Sequence, residues 1–118
     1  MVYEQLAQWH KRYGDRLEIM LFPSDEFRQE LPSEQIPGFV QQQGLPTDGN
    51  GCTLMKKVDI NGPATAPLWA YAKRVNRVEK IGWNFDGIFV FDGQGKDQGW
   101  YHRGNLPGAD AALRRILG

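Results

Sequence analysis

The first thirteen residues carry apolar side chains at Val2, Leu6, Trp9 and Tyr13. Steps of four, three and four stack such positions on one helical face, so the pattern predicts an amphipathic helix. Gly14 follows as its stop, with Lys11 and Arg12 in the last turn, where the helix dipole favours cations. The period then changes. Leu17 to Phe22 (LEIMLF) is nearly continuous in apolar character before Pro23, as expected of a strand buried on both faces and paired parallel to a neighbour.

Ser24 to Asn50 is rich in Pro, Gly, Gln and acidic residues, with a short helix expected around Glu34 to Gln42. Gly44 to Gly51 (GLPTDGNG) reads as a loop, and Leu54 to Ile60 as a strand ending at Asn61-Gly62. Pro67 suits the first turn of a helix, and Leu68, Tyr71, Ala72 and Val75 are expected to share its buried face. Ile88 to Asp92 (IFVFD) is the clearest strand; the turn Asp92-Gly93-Gln94-Gly95 leads to a weaker strand around Gln98 to Tyr101. A last helix carries Ala109, Leu113, Ile116 and Leu117. Alternating elements followed by a hairpin imply an α/β layer fold with a mixed sheet.

Composition narrows the classes. The 118 residues are 41% hydrophobic and 24% charged, which disfavours a disordered chain and suits one domain, residues 1–118. Fourteen Lys+Arg balance fourteen Asp+Glu. That balance argues against a nucleic-acid partner and a polybasic membrane anchor. No apolar run approaches the roughly 20 residues of a membrane span, and nothing reads as a signal peptide. The expectation is a soluble, cytoplasmic protein.

The chemistry-bearing residues are few. Two histidines, His10 and His102, exclude a His-rich metal site, so no metal is expected; His10 is expected at the surface beside Trp9. Asp25, Glu26 and Glu30 form an acidic cluster with a solvated loop as its plain reading. Cys52 is the one cysteine; it cannot form an internal disulfide, and in a Gly-rich loop its ordinary reading is incidental. Trp83-Asn84, just before the strongest strand, is the unusual pair. Its indole N–H and amide could donate hydrogen bonds to a developing anion, although on the residues alone core packing is the favoured reading.

Four segments together resemble the glutathione peroxidase family. Tyr3 to Tyr13 (YEQLAQWHKRY) is similar to the family's Y-x-x-L-x-x-L-x-x-K-Y helix, and Leu17 to Phe27 (LEIMLFPSDEF) to its L-x-I-L-A-F-P-C-N-Q-F signature. Lys57 to Trp69 (KVDINGPATAPLW) resembles K-V-D-V-N-G-x-x-A-x-P-L-Y/W, and Ile81 to Asp92 (IGWNFDGIFVFD) resembles I-K-W-N-F-T-K-F-L-V-D. The resemblance implies a thioredoxin-like fold and thiol-dependent reduction of hydroperoxides. In that chemistry a cysteine or selenocysteine attacks the O–O bond and is oxidised to a sulfenic or selenenic acid. It implies no bound cofactor, with glutathione or thioredoxin as reducing co-substrate, and Trp83 and Asn84 as hydrogen-bond donors to the ionised nucleophile. The family's Gln falls on Glu26, a departure, because an ionised carboxylate only accepts hydrogen bonds and repels a thiolate.

Other departures concern the nucleophile. The family carries it in a C/U-G-x-T motif about seven residues before the tyrosine matched by Tyr3, so the resemblance implies a domain incomplete at its N-terminus, without its first strands. A selenocysteine codon read as a stop is one origin for such a start. Ser24 stands where many members have the Cys of F-P-C-N-Q-F, and the resolving-cysteine region, Phe39 to Gln43, holds no cysteine. On this reading the chain alone is an inactive piece of a peroxidase, of marginal stability because Leu17 to Phe22 lacks a partner. The alternatives are a non-catalytic module derived from a peroxidase, or an unrelated Trp-rich interaction domain. Only nine residues separate Lys73 from Trp83, where tetrameric members have an insertion, so a monomer is expected.

Overall fold

The computed structural model describes residues 2–25, 32–82 and 85–118. The chain divides into two compact units, Met1–Val58 and Asp59–Gly118. In the first unit α1 spans Val2–Tyr13 and buries Val2, Leu6, Trp9 and Tyr13, the four positions of the predicted face. Removing a side chain of that size from water contributes about 1.5–3 kcal/mol each. Gly14 takes φ 57°, the left-handed conformation that ends a helix cheaply only at glycine. The guanidiniums of Arg12 and Arg16 lie 5.6 and 5.5 Å from the centroid of the Tyr13 ring.

β1 is Ile19–Leu21, shorter than the apolar run that announces it. It pairs parallel with β3, Cys52–Leu54, in the register Ile19↔Cys52 and Leu21↔Leu54. Backbone bonding continues past the strands, with Met55 N–H on Leu21 O at 2.8 Å and Val58 N–H on Pro23 O at 3.0 Å. Pro23 has no N–H to return, so a regular ladder stops there. β2, Asp48–Gly49, pairs antiparallel with β3, giving the mixed order β1-β3-β2. Among the described residues β1 is an edge strand of this sheet, and with Met20 45% exposed it is not buried on both faces as its apolar run predicts.

Two expectations are corrected here. GLPTDGNG is not all loop, because Asn50 (φ 60°) and Gly51 (φ 101°) make the two-residue turn that suits a right-handed hairpin. Strand pairing accordingly starts at Cys52 and ends at Leu54 instead of running from Leu54 to Ile60. Cys52 is thus a strand residue, not a loop residue. α2, Ile36–Gln42, is preceded by a 3-10 turn at Ser33–Gln35 and buries Ile36 and Val40. Phe39 meets Tyr3 edge-to-face at 5.4 Å.

In the second unit α3 spans Pro67–Val75, with the proline in its first turn as expected. Its buried face differs from the predicted one. Ala72 and Lys73 are buried, whereas Leu68, Tyr71 and Val75 are 44, 40 and 41% exposed. The difference follows from packing against β4, Ile88–Phe91, where Trp69 meets Phe89 edge-to-face at 5.6 Å and turns the helix onto its 69–72–73 side. Tyr71 stacks on Phe91 at 6.2 Å at the margin of that contact. β4 pairs antiparallel with β5, Asp97–Tyr101, and α4, Leu106–Leu117, buries Leu106, Ala109, Ala112 and Leu113. Asn105 caps α4 by accepting from Gly108 N–H at 3.2 Å. Helices with a small mixed sheet and an antiparallel hairpin make this a mixed α/β protein, consistent with the thioredoxin-like expectation.

Candidate functional site

Trp83, Asn84 and Glu26, the side chains expected to surround a nucleophile, lie outside the described residues. What the structure defines is how their neighbours are held. Ile81 is 1% exposed, and its peptide groups are bonded twice by the Asn61 side chain. The Ile81 N–H donates to Asn61 Oδ1 at 2.8 Å, and Asn61 Nδ2 donates to the Ile81 carbonyl at 2.8 Å. Beneath this pair Lys73, 7% exposed, donates from Nζ to the Ile60 carbonyl at 2.5 Å and to Asn61 Oδ1 at 3.4 Å. A buried ammonium needs partners, and these are neutral oxygens.

On the other flank Phe85 has φ 61°, a left-handed conformation uncommon for a bulky side chain. The Trp100 indole N–H donates to the Asp86 carbonyl at 2.7 Å, and Arg103 Nε lies 3.5 Å from the Asp86 carboxylate. Ile81 and Asp86 are thus each held by polar contacts from other elements of the second unit. Asn61 and Lys73 were not expected to matter. Asn61 sits in the V-D-I-N-G motif, and that motif in the sequence was the available signal. Nothing comparable marked Lys73, which looks like an ordinary surface cation on a helix.

Asp25, the described neighbour of Glu26, is exposed and forms an ion pair with Lys57 at 2.8 Å. Lys57 also borders a cleft of about 380 Å³ lined by Pro23, Ile36, Leu54 and Met55 among others. Ser24, at the family's cysteine position, is buried.

Cys52 is fully buried, and its thiol is pushed up to about 11, first by burial and then by the Glu18 carboxylate. A peroxidatic thiol needs the opposite environment, one that favours the thiolate near neutral pH. At pH 7 a group of pKa 11 is ionised in roughly one molecule in 10,000. Glu18 accepts a hydrogen bond from the Thr53 hydroxyl, which fixes an anion close to the sulfur's strand. His10 also departs from expectation. Its imidazole is half-buried against Gly51 and its Nδ1 has no hydrogen-bond partner among the described residues.

The chain is 34% identical over 79 residues to a glutathione peroxidase homolog of Neisseria meningitidis, covering 66% of this chain and 44% of the relative. It is 34% identical over 92 residues to the mitochondrial glutathione peroxidase 1 of Chlamydomonas reinhardtii, covering 75% of this chain and 45% of the relative. A match of 32% over 101 residues to the glutathione peroxidase-like peroxiredoxin 2 of Saccharomyces cerevisiae covers 80% of this chain and 59% of the relative. The chain thus spans about half the length of the curated relatives it matches. No protein-family model matches the chain. Among the described residues no helix is long and apolar enough to cross a membrane.

Proposed function

This chain is a relative of the glutathione peroxidases, and from that premise we propose that it serves the thiol-dependent reduction of hydroperoxides. Its part is to supply the hydrogen-bond donors around a peroxidatic cysteine or selenocysteine, not that residue itself. Trp83 and Asn84 are the donors, and Glu26 stands third, at the glutamine position of the resemblance. Donors aimed at the sulfur or selenium favour its ionised form and so raise the reactive fraction at neutral pH. Glutathione or thioredoxin is the reductant, a hydroperoxide the substrate, and no bound cofactor takes part. The protein acts as a monomer in the cytoplasm, although relatives include mitochondrial and chloroplastic forms by name.

The observation that carries the division of labour is the environment of Cys52. Buried, next to a carboxylate and with its pKa raised to about 11, it is the chain's one thiol and a poor nucleophile. The 118 residues by themselves therefore consume no peroxide. The same observation favours one alternative, a non-catalytic binding or regulatory module derived from a peroxidase. Coupled assays of hydroperoxide consumption with glutathione and with thioredoxin separate the two. They are run on the chain alone and on the chain joined to a segment carrying the family's C/U-G-x-T motif. Turnover in the joined form supports the enzyme; none in either form supports the module.

A further inference from the structure

Asn-Gly occurs twice in the chain, at Asn50-Gly51 and Asn61-Gly62, and the fold treats the two asparagines in opposite ways. Asparagine is a thermolabile residue, and a glycine after it, lacking a Cβ, least hinders closure of the side chain onto the next peptide. Asn50 sits at the tip of the β2–β3 hairpin with φ 60°. It is exposed, and its carboxamide has no hydrogen-bond partner among the described residues. β2 beside it is a two-residue strand at the edge of its sheet. So short an edge pairing opens locally at little free energy, which lets the Asn50 side chain turn toward the Gly51 nitrogen without global unfolding. Asn61 is fixed instead. Its Oδ1 accepts from the Ile81 N–H at 2.8 Å and from Lys73 Nζ at 3.4 Å, and its Nδ2 donates to the Ile81 carbonyl at 2.8 Å. Turning its Cγ toward the Gly62 nitrogen breaks all three bonds and leaves the buried lysine with only the Ile60 carbonyl among its described partners.

Ring closure at Asn50 forms a bond from the Gly51 nitrogen to Asn50 Cγ and breaks the Cγ–Nδ2 bond. The Gly51 amide proton leaves with Nδ2 as ammonia. Water then opens the five-membered imide, at Cγ to give aspartate or at the main-chain carbonyl to give isoaspartate. Isoaspartate adds one carbon to the main chain of a two-residue turn whose flanks are paired in the register Gly49↔Cys52. Gly51 has no room to absorb it, since a Cβ there would meet His10 Nδ1 at 2.8 Å and the Gly14 carbonyl at 3.1 Å. Either product also adds a carboxylate to a hairpin that already carries Asp48 on β2 and holds Glu18 through the Thr53 hydroxyl on β3.

We propose that Asn50-Gly51 is a site of spontaneous deamidation, a slow timer whose isoaspartate product opens the β2–β3 hairpin and uncovers Cys52, while Asn61-Gly62 is held out of the same chemistry. Water is the co-reactant. The test ages the intact 118-residue chain in warm, mildly alkaline buffer, with a urea-denatured sample alongside. Peptide mapping by mass spectrometry, with isoaspartate methyltransferase labelling, follows each asparagine. The mass gained when ammonia is exchanged for water separates Asn50 from isomerisation at Asp48. The native chain is expected to convert Asn50 about 10-fold or more faster than Asn61, the difference between local and larger-scale opening. In urea the two convert at similar rates. Iodoacetamide is expected to label Cys52 in the isoaspartate-bearing fraction ahead of the unconverted fraction. Asn50→Gly, which keeps a turn-compatible residue and removes the carboxamide, keeps Cys52 protected through the same ageing. Equal rates at the two sites in the native chain, faster conversion at Asn61, or no conversion at Asn50 overturns the proposal. So does labelling of Cys52 that proceeds alike in both fractions, or as fast in aged Asn50→Gly as in the converted protein.

Discussion

Gly51 lies directly against the His10 imidazole: a Cβ added at position 51 would sit 2.8 Å from His10 Nδ1 and 2.9 Å from Cε1. The same atom would lie 3.1 Å from the Gly14 carbonyl, and the residue has φ +101°. Helix α1 and the β2–β3 hairpin are therefore in contact through a glycine that must be a glycine for both conformational and steric reasons. Gly51→Ala combines a left-handed backbone penalty of about 1–2 kcal/mol with overpacking of about 1–3 kcal/mol. Thermal unfolding should fall by about 10 °C or more at roughly 4–8 °C per kcal/mol. In a His10→Ala background the same substitution should cost less, because the ring is gone and only the backbone penalty and the tight approach to the Gly14 carbonyl stay. An equal cost in both backgrounds would refute the contact.

The buried thiol of Cys52 should resist alkylation in the native state. With its pKa raised to about 11 by burial and by Glu18, it favours the protonated form in the fold more than in the unfolded chain. Stability from this group is fully present below the ordinary value of 9.0 and is lost as pH rises from there through about 11. Iodoacetamide labelling at pH 8 should therefore track global unfolding. The pH-dependent fall in melting temperature above pH 9 should be smaller in Cys52→Ala. Rapid labelling of the folded protein would contradict the burial and the reading that excludes this thiol from chemistry.

At the β4–β5 turn, Asp92 Oδ1 accepts from Gln94 N–H at 2.9 Å and Lys96 N–H at 3.0 Å, and Oδ2 from Gln98 Nε2 at 3.2 Å. These bonds, led by the Lys96 backbone and then that of Gln94, lower its pKa below the ordinary 3.8. A depressed carboxylate stabilises above its unfolded value and loses that contribution as pH falls through its folded one. Asp92→Asn should lower the melting temperature at pH 7, and the gap to the unaltered protein should close as pH drops below 3.8. A gap that stays constant to pH 2 would show that the charge plays no part.

The exposure pattern of α3 gives a contrast between adjacent turns. Val75 is 41% exposed and Ala72 is 2% exposed. Val75→Lys should change stability by no more than about 0.5 kcal/mol, whereas Ala72→Leu should cost about 1–3 kcal/mol. Denaturant midpoints measure both. A reversed order would restore the face that periodicity alone suggests.

That face shows where sequence reading stops. Val2, Leu6, Trp9 and Tyr13 were legible because one helix with one apolar stripe has a single way to bury it. In α3, apolar residues occur around most of the circumference, and the side that packs is the one bearing the Trp69–Phe89 contact and the buried Ala72 and Lys73. The Asn50-Gly51 turn was legible in principle, since Asn-Gly is a hairpin signal, but its short strand Asp48–Gly49 carries no apolar alternation to announce it. Trp83 and Asn84 were picked out by residue type and resemblance. Asn61 acts through backbone groups of Ile81 twenty residues away, and no local pattern encodes that pairing. Lys73 is legible only in the fold, because a lysine gives no sign in sequence that it will be buried.

Hydroperoxide consumption tests the central claim most directly, measured with glutathione and with thioredoxin on two forms. One is the 118-residue chain, and the other is that chain joined to a glutathione peroxidase segment bearing the C/U-G-x-T motif. The account predicts no turnover by the chain alone and turnover by the joined form. That turnover should be unchanged by Cys52→Ser and reduced about 10-fold or more by Trp83→Phe, the scale on which lost stabilising donors register. Turnover by the chain alone that disappears in Cys52→Ser would contradict it and make the buried thiol the nucleophile.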